Sequence, residues 1–182
     1  MSTVAPNTPR PRATNLGLNI GLLPRGPHNS ITDVPHVTVG HVTLVDEEGP
    51  LLDGRGPVRT GVTVILPHDQ DMFRHKVTAA VHVVNGFGKA VGFPQVVELG
   101  VIESPIALTN TLNTWRVADA LIDYLSSKNP GIHSFNPVVG ECNDSFLNDI
   151  VGRYVTTKHV TTAISTAYRP TLGKVMSAPE QE

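Results

Sequence analysis

Apolar and polar side chains alternate between residues 37 and 45. Val37, Val39, His41, Thr43 and Val45 fall on one face, and Thr38, Gly40, Val42 and Leu44 on the other, which is the two-residue period of a strand. Residues 58–66 are β-branched and end at Pro67, and residues 77–84 form a nearly continuous apolar run. Both predict strands covered on two faces, the central positions of a sheet. Residues 101–108 predict a further strand, which Pro105 assigns to an edge or a bulge because proline cannot donate to a ladder. The period then changes. Val117, Leu121, Tyr124 and Leu125, widened by Ala118 and Ile122, lie at helical spacing behind a Thr114 cap, and Asn129-Pro130-Gly131 ends the segment, so a helix running to about residue 125 is expected. Thr156, followed by Val160, Ala163, Ile164 and Ala167, predicts a last helix. Strands punctuated by helices without strict alternation favour a layered α+β fold.

Between these elements, residues 46–56 read as a loop, 137–140 as a short extended segment, and 141–150 as a structured loop rich in Asn and Asp. Residues 1–15, with Pro6, Pro9 and Pro11 among polar side chains, are expected to be a flexible leader. One domain is expected over residues 16–167, with residues 168–182 unassigned. Fourteen basic and sixteen acidic residues leave a net charge of −2, so no cationic field points to nucleic acid. The sequence has no apolar run near the roughly 20 residues that cross a bilayer. A single cysteine, Cys142, gives no intrachain disulfide, and no signal-like run opens the chain, which makes the cytoplasm the expected compartment.

Eight histidines raise the question of a metal. His36 and His41 are five apart and His75 and His82 seven apart, so in extended chain each pair points to opposite faces, and no metal site is expected. Cys142 has no legible His partner. The segment Asn85-Gly-Phe-Gly-Lys-Ala-Val-Gly92 lies at a predicted strand end, and its glycines permit positive φ or close approach of a backbone. Its G-x-G-x-x-x-G spacing is one residue too long for a dinucleotide fingerprint. Asn143-Asp144 and Asn148-Asp149 offer amide and carboxylate groups that serve either a ligand or their own turns. Asn110-Thr111 has the form of a self-processing site, because a freed Thr amine can act as base for its own hydroxyl.

Five blocks in order give a more specific signal. They are Asn29-Ser-Ile-Thr-Asp-Val-Pro35 with Val39-Gly-His-Val-Thr-Leu44, Gly56-Pro-Val-Arg-Thr-Gly-Val-Thr63, Asn85-Gly-Phe-Gly-Lys89, Ile106-Ala-Leu-Thr-Asn-Thr-Leu112, and Glu141-Cys-Asn-Asp144 with Leu147-Asn-Asp-Ile150. Together they resemble the N-terminal half of the L-aminopeptidase/D-esterase (DmpA-type, β-aminopeptidase) family of N-terminal-nucleophile hydrolases, over about residues 16–167. The resemblance implies a four-layer α/β/β/α sandwich related to ornithine acetyltransferase. It implies a precursor that cuts itself to expose a nucleophilic serine, and release of N-terminal residues from small peptides, amides or esters without metal or organic cofactor. The family's Gly-rich segment, cleavage site and nucleophile strand have no counterpart after Ala167. The catalytic group is therefore expected outside this chain, on a C-terminal half or second subunit, and the complete protein is expected to be a homo-oligomer. Asn85, Gly86, Lys89, Asn110 and Asn143 are the expected substrate-binding residues. Relatives carry an acid suited to a substrate ammonium where this chain has Lys89, so a Lys89 that faced the pocket would favour a carboxylate or carbonyl. The competing reading is a non-catalytic binding or assembly module that keeps the scaffold.

Overall fold

A computed structural model describes residues 11, 13–18, 20–46 and 49–169. Strands β1 (Thr38–Asp46), β2 (Val58–Leu66), β5 (Ile106–Asn110) and β6 (Val138–Cys142) form one sheet in the order β1-β2-β5-β6. The first two pairings are antiparallel and β5 with β6 is parallel. The short strands β3 (Val77–Thr78) and β4 (Val101–Ile102) make a separate two-stranded sheet. Among the described residues three α-helices complete the set: α1 (Phe93–Leu99), α2 (Thr114–Lys128) and α3 (Thr157–Ser165). The fold is α+β, as the irregular mixture of periods predicts.

Helices α2 and α3 pack on one face of the four-stranded sheet. Val117, Ala118, Ala120 and Leu121 of α2 and Val160 and Ala163 of α3 meet Val62, Val64, Ala107 and Val139 in a buried core, with Val42 and Leu44 at its margin. The alternation in β1 therefore places Val42 and Leu44 on the helix side and His41, Thr43 and Val45 on the other. Among the described residues that other face is covered only at one end, where Ile106 and Val138 meet Met72, Val96 and Ile102 in a smaller core. Across the rest of it His41, Thr43, Val45, Arg59 and Leu108 are exposed.

Close approach of α3 to β1 is possible because residue 40 is glycine. A Cβ there would stand 1.8 Å from the Ala163 carbonyl oxygen. Helix α3 begins as predicted at Thr156, whose extended backbone N–H donates to Nδ1 of His159 at 3.0 Å. Helix α2 starts one residue earlier than a Thr114 cap would give. Asn113 is its N-cap, and the Thr114 hydroxyl instead donates to the Thr111 carbonyl at 3.0 Å. At the far end Asn129 closes α2 by donating its backbone N–H to the Leu125 carbonyl at 3.0 Å.

Two sequence expectations are corrected, and one helix was not foreseen. Residues 77–84 are not a central strand: pairing stops at Thr78, and Val83 and Val84 are 53% and 87% exposed. Only Val77, Ala79 and Val81 pack, against the smaller core, so the apolar run reflects that contact and not two covered faces. Residues 101–108 are two strands in different sheets, with Pro105 at the break, and β5 is interior. Proline marks a change of sheet here, not an edge. Helix α1 was not predicted, although Pro94 in its first turn and Gly100 at its C-cap are start and stop signals. Ala13–Leu16 form a 3-10 turn across the expected boundary between the leader, residues 1–15, and the domain, while residues 1–10 and 12 lie outside the described residues. At the other end of the chain Tyr168 bridges to Val39 and Arg169 Nε donates to the Thr32 carbonyl at 3.0 Å; residues 170–182 of the unassigned segment lie outside the described residues.

Candidate active site

The parallel strands β5 and β6 end side by side, with Asn110 opposite Cys142 and Thr109 opposite Glu141. Ligands of mixed and parallel sheets commonly bind beyond such carboxyl ends. The glycine-rich turn is brought there by a bridge between Val91 and Val139, whose N–H and carbonyl groups exchange bonds of 3.0 and 3.2 Å. Gly92 fixes that approach. Its φ is +86° and a Cβ on it would lie 2.4 Å from the Pro137 carbonyl oxygen, so no other residue fits without displacement. Gly86 and Gly88 lack such a reason. A Cβ on Gly86 meets nothing within 4 Å, and on Gly88 it meets only Glu141 Oε1 at 3.9 Å.

Glu141 joins the pieces. Its Oε1 accepts the Lys89 backbone N–H at 3.1 Å, and its Oε2 accepts the Thr111 hydroxyl in a short hydrogen bond. One half-buried carboxylate thereby ties the glycine turn, the end of β6 and the approach to α2. Next to it Asn110 is buried. Its Nδ2 donates to Thr60 Oγ1 at 2.7 Å, and its Oδ1 accepts Asn113 N–H and Nδ2, each at 3.0 Å. Thr111 is 5% exposed and follows Asn110 in a 3-10 turn, so its hydroxyl lies next to Glu141 and not next to an α-amine.

The five residues predicted to line a pocket divide into three groups. Asn110 and the Lys89 backbone belong to the Glu141 cluster. Asn85 and Gly86 are exposed on the same turn, where Asn85 Oδ1 accepts the Phe87 N–H at 3.1 Å. Asn143 follows β6, and its Oδ1 accepts the Ser145 N–H at 3.0 Å. The Lys89 ammonium folds back on its own turn: it donates to the Phe87 carbonyl at 2.9 Å and lies 4.0 Å from the Phe87 ring centroid. Glu141 was not among the predicted residues. It follows the segment predicted as extended over residues 137–140, and β6 runs two residues further than that prediction.

Asn148 and Asp149 are spent on the fold: both tether their loop to the distant backbone around β2, and Asp149 also braces its own turn. Asn148 Oδ1 accepts the Arg59 N–H at 3.0 Å. Asp149 Oδ2 accepts the Gly56 N–H at 3.1 Å and the Tyr154 hydroxyl at 2.8 Å, and its Oδ1 accepts the Val151 and Gly152 N–H groups at 3.2 Å. Burial pushes its pKa up, but hydrogen bonds from Gly54, Tyr154, Gly56 and Gly152 outweigh burial and hold it at about 2. A carboxyl depressed in the fold contributes stability above its unfolded pKa of about 4, and that contribution disappears as pH falls towards the folded value. The urea midpoint should therefore drop between about pH 4 and pH 2. In Asp149→Asn the drop should be shallower and the midpoint at pH 7 lower. An unchanged slope in the variant would contradict this role.

Among the described residues no group of three His, Cys, Asp or Glu stands together as metal ligands. Among them too, no helix is long and apolar enough to cross a membrane.

The model of peptidase family S58 matches residues 29–176. The chain belongs to peptidase family S58. It is 42% identical over 158 residues to a β-peptidyl aminopeptidase of Sphingosinicella microcystinivorans, covering 86% of this chain and 39% of that protein. Among solved structures, a Pyrococcus horikoshii protein superposes with a TM-score of 0.83 at 50% identity, over 87% of this chain and 46% of that one. The Ochrobactrum anthropi L-aminopeptidase D-Ala-esterase/amidase, described as a prototype of the serine aminopeptidases and a variant of the Ntn hydrolase fold, gives 0.76 at 34% identity, over 88% and 45%. This S58 chain spans about two fifths to one half of the length of these relatives.

Proposed function

We propose that this chain forms the N-terminal part of an S58 serine aminopeptidase, which releases N-terminal residues from small peptides, amides or esters through an acyl-enzyme. The attacking hydroxyl belongs to a terminal serine, exposed by self-cleavage, on polypeptide outside this chain. A terminal serine carries its own base, because an α-amine of ordinary pKa near 8 accepts a proton at neutral pH. This chain contributes pocket wall: the turn carrying Asn85 and Gly86, the Lys89 backbone, Asn110, and Asn143 at the strand ends.

One observation carries the reading. Among the described residues, most of the sheet face opposite α2 and α3 is uncovered, with Leu108 44% and Val45 67% exposed, in a chain that matches its relatives over less than half their length. A second sheet packed about 10 Å away would cover that face and complete an α/β/β/α sandwich. The complete protein then takes up its partner half through this face and assembles as a homo-oligomer in the cytoplasm. The coding DNA that follows residue 182 is the direct test of where the nucleophile lies. A Gly-rich segment followed by a serine-led strand is the expected result; a stand-alone assembly module would have none, there or on a co-expressed gene.

A further inference from the structure

We infer that the hollow beside the last turn of α2 binds a small free α-amino acid as its zwitterion. The inference goes beyond the aminopeptidase reading and does not depend on it, because the hollow stands apart from the Glu141 cluster. Thr38 and Leu66 pair at the start of β1 and the end of β2, and Ile65 faces Ile106 at the start of β5, whereas Asn110 and Cys142 close the other end of the sheet. Helix α2 returns from that end to this one. Its last turns, with Tyr124, Leu125 and Lys128, therefore border Thr38, Leu66 and the loop that follows β2. The space between them is about 180 Å³, room for about six waters at ~30 Å³ each.

Small-ligand sites combine an apolar surface with a few unspent polar groups. Leu66, Met72 and Leu125 supply the first. Of the polar side chains, two are already spent. His68 Nδ1 accepts the Gln70 N–H at 3.2 Å and Nε2 donates to the His75 carbonyl at 2.8 Å, which is the bonding of a neutral ring. Asp71 Oδ1 accepts the Phe73 N–H at 3.0 Å and Asn129 Nδ2 at 3.3 Å, and the Arg74 guanidinium stands 3.8 Å from Oδ2. Asp69, Lys128 and the hydroxyls of Thr38 and Tyr124 are different. Among the described residues, Asp69 and Lys128 take part in no ion pair, with each other or with any other group, and the two hydroxyls have no hydrogen-bond partner. Burial and the charge of Asp71 push the Tyr124 phenol up, so it keeps its proton at neutral pH and can donate it.

The two unspent charges stand on opposite walls. Lys128 is on α2, its Nζ 5.8 Å from the Tyr124 ring centroid, and Asp69 is on the loop after β2. A lone cation or a lone anion would answer only one of them. A ligand that answers both carries both signs a few ångströms apart, as an α-amino acid does. Its carboxylate meets the Lys128 ammonium and the Tyr124 O–H, its ammonium meets Asp69 and the Thr38 hydroxyl, and a short aliphatic side chain covers the apolar surface.

The test uses the chain itself with three probes: L-alanine, L-alaninamide, which keeps only the ammonium, and propionate, which keeps only the carboxylate. In proton–nitrogen NMR titrations the backbone amides of Gln70, Met72 and Lys128 are expected to report saturable binding of alanine at about 1 mM, with each half-probe about fivefold weaker or more. Lys128→Met should lower the alanine affinity about threefold or more, towards that of alaninamide, and Asp69→Asn should lower it by as much, towards that of propionate. Both side chains are exposed, so these variants keep the fold. No saturation at these amides by about 50 mM alanine, or equal affinity for the three probes in the unmodified chain, would overturn the proposal. So would an unchanged alanine affinity in both variants. Turnover is not read, so failure here leaves the aminopeptidase reading untouched.

Discussion

Leu121→Ala is expected to lower the free energy of unfolding by about 2–5 kcal/mol. Leu121 has no exposed surface and lies in the core that α2 shares with Val62, Val64, Ala107 and Val139. Truncation removes the transfer free energy of the lost methyl groups and leaves a cavity that a sheet on one side and α3 on the other cannot collapse to fill. Urea unfolding followed by far-UV circular dichroism measures the loss. A cost below about 1 kcal/mol would mean that the helix layer is loosely packed and that the core between the sheet and α2 and α3 is not tight.

Gly40→Val should have a comparable effect by the opposite route. Its Cβ would meet the Ala163 carbonyl oxygen at 1.8 Å. That oxygen is helix backbone and cannot rotate away, so α3 must lift from β1 and take Val160 and Ala163 out of the core. Overpacking ordinarily costs about 1–3 kcal/mol, and loss of the helix contacts adds to it. Gly86→Ala provides the contrast, because space is open there; its stability should stay within about 0.5 kcal/mol of the unmodified chain. Equal tolerance at both positions would contradict the placement of α3.

The sheet's long strands and both long helices could be read from the sequence because each carries one clear period and meets one partner layer. β1 alternates because one face meets α3 and the other does not. Residues 77–84 misled because an apolar run has no period: Ala79 and Val81 pack locally and Val83 and Val84 point outward, a distinction that only the three-dimensional path makes. Pro105 was read as a strand feature, yet a missing donor serves equally well where a chain leaves one sheet for another. At the site, Asn110 was legible from its position at a strand end. Glu141 was not, because nothing local separates a carboxylate that ends a parallel strand from one that opens a polar loop. Its bonds to Lys89, 52 residues earlier, and to Thr111, 30 residues earlier, are long-range facts. Lys89 shows the converse. Its charge was the legible feature, whereas its backbone N–H is what reaches the site.

The central claim is that this chain supplies scaffold and pocket for amide hydrolysis but not the hydroxyl that attacks. Release of p-nitroaniline from L-alanine p-nitroanilide measures it most directly, for the purified chain alone and for the chain joined by the polypeptide that carries the serine-led strand. The account predicts no release by the chain alone and sustained release by the joined protein. Sustained release by the chain alone, at the same rate with or without the second polypeptide, would contradict it.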